Sequence, residues 1–130
     1  MRILIADDSE VMRRAVRALL SAEPNWEICG EASDGPGALE KARELQPHLV
    51  LLDINMPGTT GLQTARRIRQ EVPPTKILIM TLHDAARFLP TVREAGADGC
   101  VDKARLGDDL IDAIKKLAGP GPGEPHSVDN

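Results

Sequence analysis

Leu49-Val50-Leu51-Leu52-Asp53-Ile54-Asn55-Met56-Pro57-Gly58 is the stretch that decides the fold. An apolar run stops at a carboxylate and leads straight into the turn formers Asn55, Pro57 and Gly58. A run of that length bounded by turn formers predicts a buried parallel strand over residues 49–52. In open α/β sheets the crevice beyond the C-terminal ends of the strands holds the ligands, and Asp53 stands at that edge.

Working outward, further short apolar segments fall at residues 3–6, 26–32, 77–80 and 99–101. Between them the apolar residues recur with a period near 3.6. Met12, Ala15, Val16 and Leu19 are expected on one face of a first helix, with Glu10, Arg13, Arg14, Arg17 and Ser21 opposite and solvated. Leu62, Ala65, Ile68 and Val72 form a second stripe. Leu110, Ile111, Ile114 and Leu117 form another, with Asp108 and Asp109 at its start and Lys115 and Lys116 at its end, as the helix dipole prefers. Strict β-then-α alternation predicts a doubly wound parallel sheet with helices on both faces. Asp98-Gly99 resembles a hairpin turn, but the residues before it have a helical period, so no hairpin is expected.

The chain has 130 residues, which fits one domain. Residues 1–118 are expected to form it. Residues 119–130, Gly-Pro-Gly-Pro-Gly-Glu-Pro-His-Ser-Val-Asp-Asn, read as a linker-like or disordered tail. A net charge of −4 argues against broad contact with nucleic-acid phosphates. Two cysteines, Cys29 and Cys100, are too few for a disulfide scaffold. No signal peptide or membrane span is read, so the expected compartment is the cytoplasm, with reduced thiols.

The strand ends carry the chemistry. Asp7-Asp8-Ser9 follows the first strand, Asp53 the third, Thr81 the fourth and Asp102-Lys103 the fifth. Converging carboxylates repel unless a cation neutralises them. Oxygen ligands without His or Cys suit Mg²⁺. A carboxylate nucleophile, a divalent cation, a lysine and a threonine together make a phosphoryl-transfer set. Singly each residue has an ordinary reading: Asp7-Asp8 as a helix start, Thr81 as a strand residue, Lys103 as a solvated cation.

The set Asp7-Asp8, Asp53 within LVLLDINMPGTTG, Thr81 and Lys103 resembles the receiver domain of bacterial two-component response regulators. The stretches EICGEASDGPGALEKARELQPHLVLLDINMPG and REAGADGCVDKA resemble the NarL/LuxR type in particular. The resemblance covers residues 2–117. It implies a flavodoxin-like sheet of order 2-1-3-4-5. It also implies a phosphorylation switch rather than a conventional enzyme. Asp53 would accept a phosphoryl group from a sensor histidine kinase or phosphotransfer protein. Asp8 and Asp53 would bind Mg²⁺ directly, Asp7 largely through water, and the Asn55 backbone carbonyl would complete the protein ligands. Thr81 and Lys103 would bind phosphoryl oxygens. Asn55 and His83 would tune access of hydrolytic water to the phosphoaspartate. DNA would be reached only through a downstream helix-turn-helix domain, not by this segment, and a homodimer is left open.

Two positions depart from the family's pattern. An aromatic residue usually lies three residues before the lysine; here that position is Cys100, and the chain has no Tyr. Pro90 falls inside the expected fourth helix, where it is better accommodated if the helix starts near Leu89. The alternative reading is therefore a partly degenerate receiver acting as a protein-interaction module. A haloacid-dehalogenase-type hydrolase would need a second Asp two residues after the first-strand nucleophile, where Ser9 stands. A flavin carrier would need a phosphate loop and aromatic stackers, against Glu10-Val11-Met12-Arg13-Arg14. In a 2-1-3-4-5 sheet Cys29 and Cys100 lie on opposite edges, so no disulfide is expected between them.

Overall fold

The computed structural model describes residues 1–82 and 84–118. The parallel sheet comprises β1 (Arg2–Ala6), β2 (Glu27–Ala32), β3 (Leu49–Asp53), β4 (Lys76–Thr81) and β5 (Gly99–Asp102). Its order is β2-β1-β3-β4-β5, as expected. The helices are α1 (Glu10–Leu20), α2 (Gly35–Leu45), α3 (Gly61–Glu71), α4 (Ala85–Glu94) and α5 (Leu106–Ala118). A 3₁₀ turn over Lys103–Arg105 joins β5 to α5.

Alternation along the strands divides the core into two layers. Leu4, Val50, Leu52, Ile77 and Ile79 pack with Ala38, Leu39, Ala65, Ile68 and Val92 of α2, α3 and α4. Ile3, Ile5, Leu49, Leu51, Leu78 and Met80 pack with Val16, Leu20, Leu110 and Ile114 of α1 and α5. β3 is buried along its whole length, which is why it reads as an unbroken apolar run. Asp98 starts no hairpin: its carboxylate accepts from the backbone N–H of Ile77 (2.8 Å) and from Arg69, and β5 runs parallel to β4. Cys29 and Cys100 are free thiols on opposite edge strands.

Local chemistry starts the helices where they start. Ser9 caps α1 by accepting from the Met12 N–H (3.1 Å), so neither Asp7 nor Asp8 is the cap. Thr60 and Gln63 form a reciprocal capping box at the start of α3.

Two expectations need correction. On α1, Ala15 is exposed, Arg13 is half-buried and Leu20 is fully buried. With Val16 at the centre of the buried arc, Leu20 lies about 40° away, Arg13 about 60° and Ala15 about 100°, so Arg13 is nearer the core than Ala15. The fourth helix starts at Ala85, not near Leu89, and Pro90 stands in its interior. Asp84 supports that earlier start by accepting from the Ala86 N–H (3.1 Å). Among the described residues no helix is long and apolar enough to cross a membrane.

Candidate functional site

The C-terminal ends of β1, β3, β4 and β5 deliver Asp7, Asp53, Thr81 and Lys103 to one edge of the sheet. Parallel pairing sets the register: Asp53 is opposite Met80, and Thr81 is opposite Asp102. Asp7 is fully buried, Asp53 and Thr81 are buried, and Asp8 is exposed. Lys103 Nζ lies 2.8 Å from Asp7 Oδ2 and 3.1 Å from Asp53 Oδ1, with 11% of its side chain exposed. One carboxylate oxygen from each of Asp7, Asp8 and Asp53 lies within 4.8 Å of the others.

The electrostatics follow from this crowding. Burial pushes the Asp53 carboxyl above its ordinary value. The Lys103 ammonium draws it partly back, and the Asp7 charge raises it again. Burial alone would lower the Lys103 pKa, but bonding to Asp7 and Asp53 leaves it above its ordinary value. Lys103 is therefore a fixed positive charge and Asp53 a carboxylate held at a cost.

The site fits a hard cation. One ammonium faces two buried carboxylates, and Asp8 adds a third acid at the mouth. Asp7 Oδ2 is buried, with the Lys103 ammonium 2.8 Å away as its ion-pair partner. A carboxylate oxygen has a second lone pair beyond the one facing Lys103, and an all-oxygen donor set of this kind suits Mg²⁺. The Asn55 backbone N–H donates to Asp53 Oδ1 at 3.3 Å, placing the Asn55 backbone directly beside the acid; its side chain is exposed. His83 lies outside the described residues. Cys100 is half-buried in β5, where burial and then the Asp102 charge push its thiol up to about 11.

Sequence reasoning missed two contributors. Arg13 donates to the Asp7 backbone carbonyl at 2.7 Å and pairs with Glu31 of β2 at 3.0 Å. The two charges are 18 positions apart, and nothing local signals that they meet. Gly61 donates to the Ile54 carbonyl at 2.8 Å. A Cβ there would lie 2.3 Å from the Asp53 carbonyl oxygen, so the loop after Asp53 closes only around a glycine. Gly58, read from the sequence as a turn former, makes the turn in that loop at φ +91°.

Comparisons with known proteins agree with this fold. Residues 3–115 match the family model for the response regulator receiver domain. The nitrate/nitrite response regulator protein NarP of Escherichia coli (strain K12) is 38% identical over 114 residues, which is 88% of this chain and 53% of that protein. The transcriptional regulatory protein DegU of Brevibacillus brevis is 34% identical over 120 residues, 92% of this chain and 51% of that protein. The chain thus spans about half the length of the curated relatives it matches. The crystal structure of a LuxR-family two-component response regulator from Aurantimonas sp. SI85-9A1 superposes with a TM-score of 0.84. It is 34% identical, covering 90% of this chain and 84% of that one. On family match, identity, strand order and fold together, this chain belongs to the response regulator receiver domain family, in its NarL/LuxR-type branch.

Proposed function

We propose that Asp53 accepts a phosphoryl group from a sensor histidine kinase or phosphotransfer protein. The observation that carries this is the Lys103 ammonium held between Asp7 and Asp53 beside the acidic trio at the sheet edge. An Asp53 oxygen attacks phosphorus, the P–O bond forms, and the P–N bond to the donor imidazole breaks with its electron pair leaving on nitrogen. Lys103 and Thr81 stabilise the phosphoryl oxygens as charge redistributes. Asp7, Asp8, Asp53 and the Asn55 backbone carbonyl are the residues that would hold Mg²⁺, which when bound supplies charge neutralisation at the phosphoryl group.

Receivers work by phosphorylation-based switching and are not conventional enzymes; catalysis of its own phosphorylation and dephosphorylation is part of our reading. A phosphoaspartate adds nearly two negative charges, which would draw Thr81 and Lys103 inward and bias α4, β5 and α5. Cys100, lacking the aromatic ring, makes that readout atypical. Asn55 would tune phosphoaspartate lifetime; His83, proposed for the same role, lies outside the described residues. The relatives' names include transcriptional regulators, so a DNA-binding partner domain is the expected output; residues 119–130, read from the sequence as linker-like, lie outside the described residues. A homodimer would serve the same output.

The test is direct. The chain is incubated with Mg²⁺ and beryllofluoride, and with a small phosphodonor, while amide shifts are followed for wild type and Asp53→Ala. Shifts at Thr81, Lys103 and α4 that vanish in Asp53→Ala support the reading. Identical spectra for both proteins would sink it.

A further inference from the structure

We infer that Arg13 is a positioning residue for the acidic site, working with Glu31, and that its loss weakens Mg²⁺ binding although it removes a positive charge. This rests on the Mg²⁺ reading above.

Asp7 is anchored at three of its four polar groups. Its N–H donates to the Ala32 carbonyl at 3.0 Å. Its Oδ1 accepts from the Ser9 N–H at 2.9 Å. Its backbone carbonyl accepts from Arg13 Nη1 at 2.7 Å. Oδ2 alone is left to face Lys103 and the cluster with Asp8 and Asp53. The Arg13 bond therefore governs the peptide plane joining Asp7 to Asp8, the two adjacent acids of the trio. Rotation of that plane would swing both side chains.

Arg13 is itself held. Only 17% of its side chain is exposed, and Nε donates to Glu31 Oε1 at 3.0 Å. The other Glu31 oxygen is engaged by Arg17. Glu31 thus receives two guanidiniums from α1 on adjacent oxygens, which fixes the direction from which Arg13 reaches the carbonyl. The chain of contacts runs from Glu31 of β2 to Arg13 of α1 to the Asp7-Asp8 peptide, and neither Glu31 nor Arg13 has a direct part in the phosphoryl-transfer step. A planar guanidinium can serve a carboxylate and a carbonyl together; an ammonium is a point donor without that fork.

Charge and geometry predict opposite signs. Arg13 is a cation near an acidic cluster, so if it acted only through its charge, removing it would tighten Mg²⁺ binding. If it positions the Asp7-Asp8 peptide, removing it weakens binding, by about 10-fold on the scale of outer-shell partners of metal ligands.

The experiment is calorimetric titration of Mg²⁺ into the wild-type chain, Arg13→Met and Arg13→Lys, with thermal unfolding of each metal-free protein. The expected result is a rise in Kd of about 10-fold for Arg13→Met. Arg13→Lys keeps the charge and should still show a raised Kd, of about 3-fold. Amide resonances of Asp7, Asp8 and Ser9 should shift in both metal-free variants. An unchanged or lower Kd in Arg13→Met would overturn the proposal while leaving the Mg²⁺ reading intact. Absence of binding by wild type would instead overturn that reading, and the proposal with it. If Arg13→Met does not fold, Arg13→Lys decides alone, and a Kd equal to wild type overturns the proposal.

Discussion

Lys103 Nζ stands 2.8 Å from Oδ2 of Asp7, joining the residue just past β5 to the residue just past β1. In the metal-free protein this ammonium is the counter-charge for two buried carboxylates. Lys103→Met should therefore destabilise the metal-free chain by about 3 kcal/mol, the scale of breaking a buried pair from one side. The Lys103 pKa is raised in the fold, so its contribution is fully present below 10.5 and is lost as pH rises through the higher folded value. The gap between wild type and variant should be flat near neutrality and close only in strong alkali. Saturating Mg²⁺ should narrow it by replacing the missing charge. Thermal unfolding across pH, with and without Mg²⁺, checks all three.

Asp53→Asn should behave in the opposite way. The Asp53 carboxyl is raised by burial, so its contribution to stability is complete below 3.8 and is lost as pH rises through the folded value. At neutral pH the ionised acid strains the fold. Asparagine removes that charge, and Lys103 keeps Asp7 as its partner. The metal-free variant should gain on the order of 1 kcal/mol at neutral pH, a few degrees in Tm. The gain should shrink in acid below the ordinary carboxylate range. An Asp53→Asn protein less stable than wild type at neutral pH would show that Lys103 over-compensates the burial.

The parallel β/α alternation and the gathering of acids at the sheet edge were legible because each rests on a strong local pattern, whereas the strand order followed from the resemblance to receiver domains. Residues 49–52 and 77–80 read as strands since β3 and β4 are buried on both faces, leaving no polar alternation to confuse them. Asp7, Asp53, Thr81 and Lys103 were legible because parallel topology brings strand ends together whatever lies between them. The contacts that hold those ends were not legible. Arg13 looks like one more charge on a polar face until β2 is placed beside β1 and Glu31 meets it. Gly61 looks like an ordinary helix start until the Asp53 carbonyl is seen where its side chain would be. Both depend on non-local distances that no periodicity encodes.

Gly61→Ala tests the second of these. The added carbon would sit 2.3 Å from the Asp53 carbonyl oxygen and 2.7 Å from Ile54 Cα, both backbone atoms with little freedom. We expect a loss of about 2 kcal/mol or more, at the level of overpacking a rigid site. Because the clash is with Asp53 itself, phosphorylation by a small donor should slow even under conditions where the variant stays folded. Denaturant unfolding and a phosphorylation time course on the same preparation separate the two effects.

The Cys100 thiol should be a poor nucleophile. Burial, aided by Asp102, places its pKa at about 11, so at pH 8 its thiolate fraction is roughly one in a thousand. Alkylation at Cys100, followed by peptide mass spectrometry, should be slow at pH 8 and climb about tenfold per pH unit toward 11. Rapid labelling at neutral pH would mean that β5 opens locally. Cys100 also borders a groove of about 640 Å³ between α4 and α5, with Leu89, Ala113 and Gly99 among its walls. Cys100→Tyr should accordingly fold, and should change α4 and α5 amide shifts while leaving the phosphorylation rate of Asp53 unaltered.

Pro90 places a fault in the middle of α4, and replacing it should reveal its cost. The helix runs from Ala85 to Glu94, so the Ala86 carbonyl, four residues before Pro90, has no N–H to accept from at that position. Asp84 compensates at the start, capping the Ala86 N–H and accepting at its carbonyl from the Phe88 N–H at 3.1 Å. Val92 is the residue of α4 that is fully buried, so packing holds the helix at one point beyond the proline while Pro90 itself is exposed. An exposed site has no core to disturb, and Pro90→Ala should stabilise the chain by about 1–3 kcal/mol, less than the full helix penalty because proline also restricts the unfolded chain. The gain should be local. Amide exchange should slow across residues 85–94 and change little in α2 or α3. If α4 is the element that phosphorylation biases, tightening it should also raise the free energy of switching, so beryllofluoride should produce smaller shifts in α4 of Pro90→Ala than in wild type. Unaltered exchange in α4 would show that the proline is absorbed without cost, and would remove it from any account of how this receiver reads out its own phosphorylation.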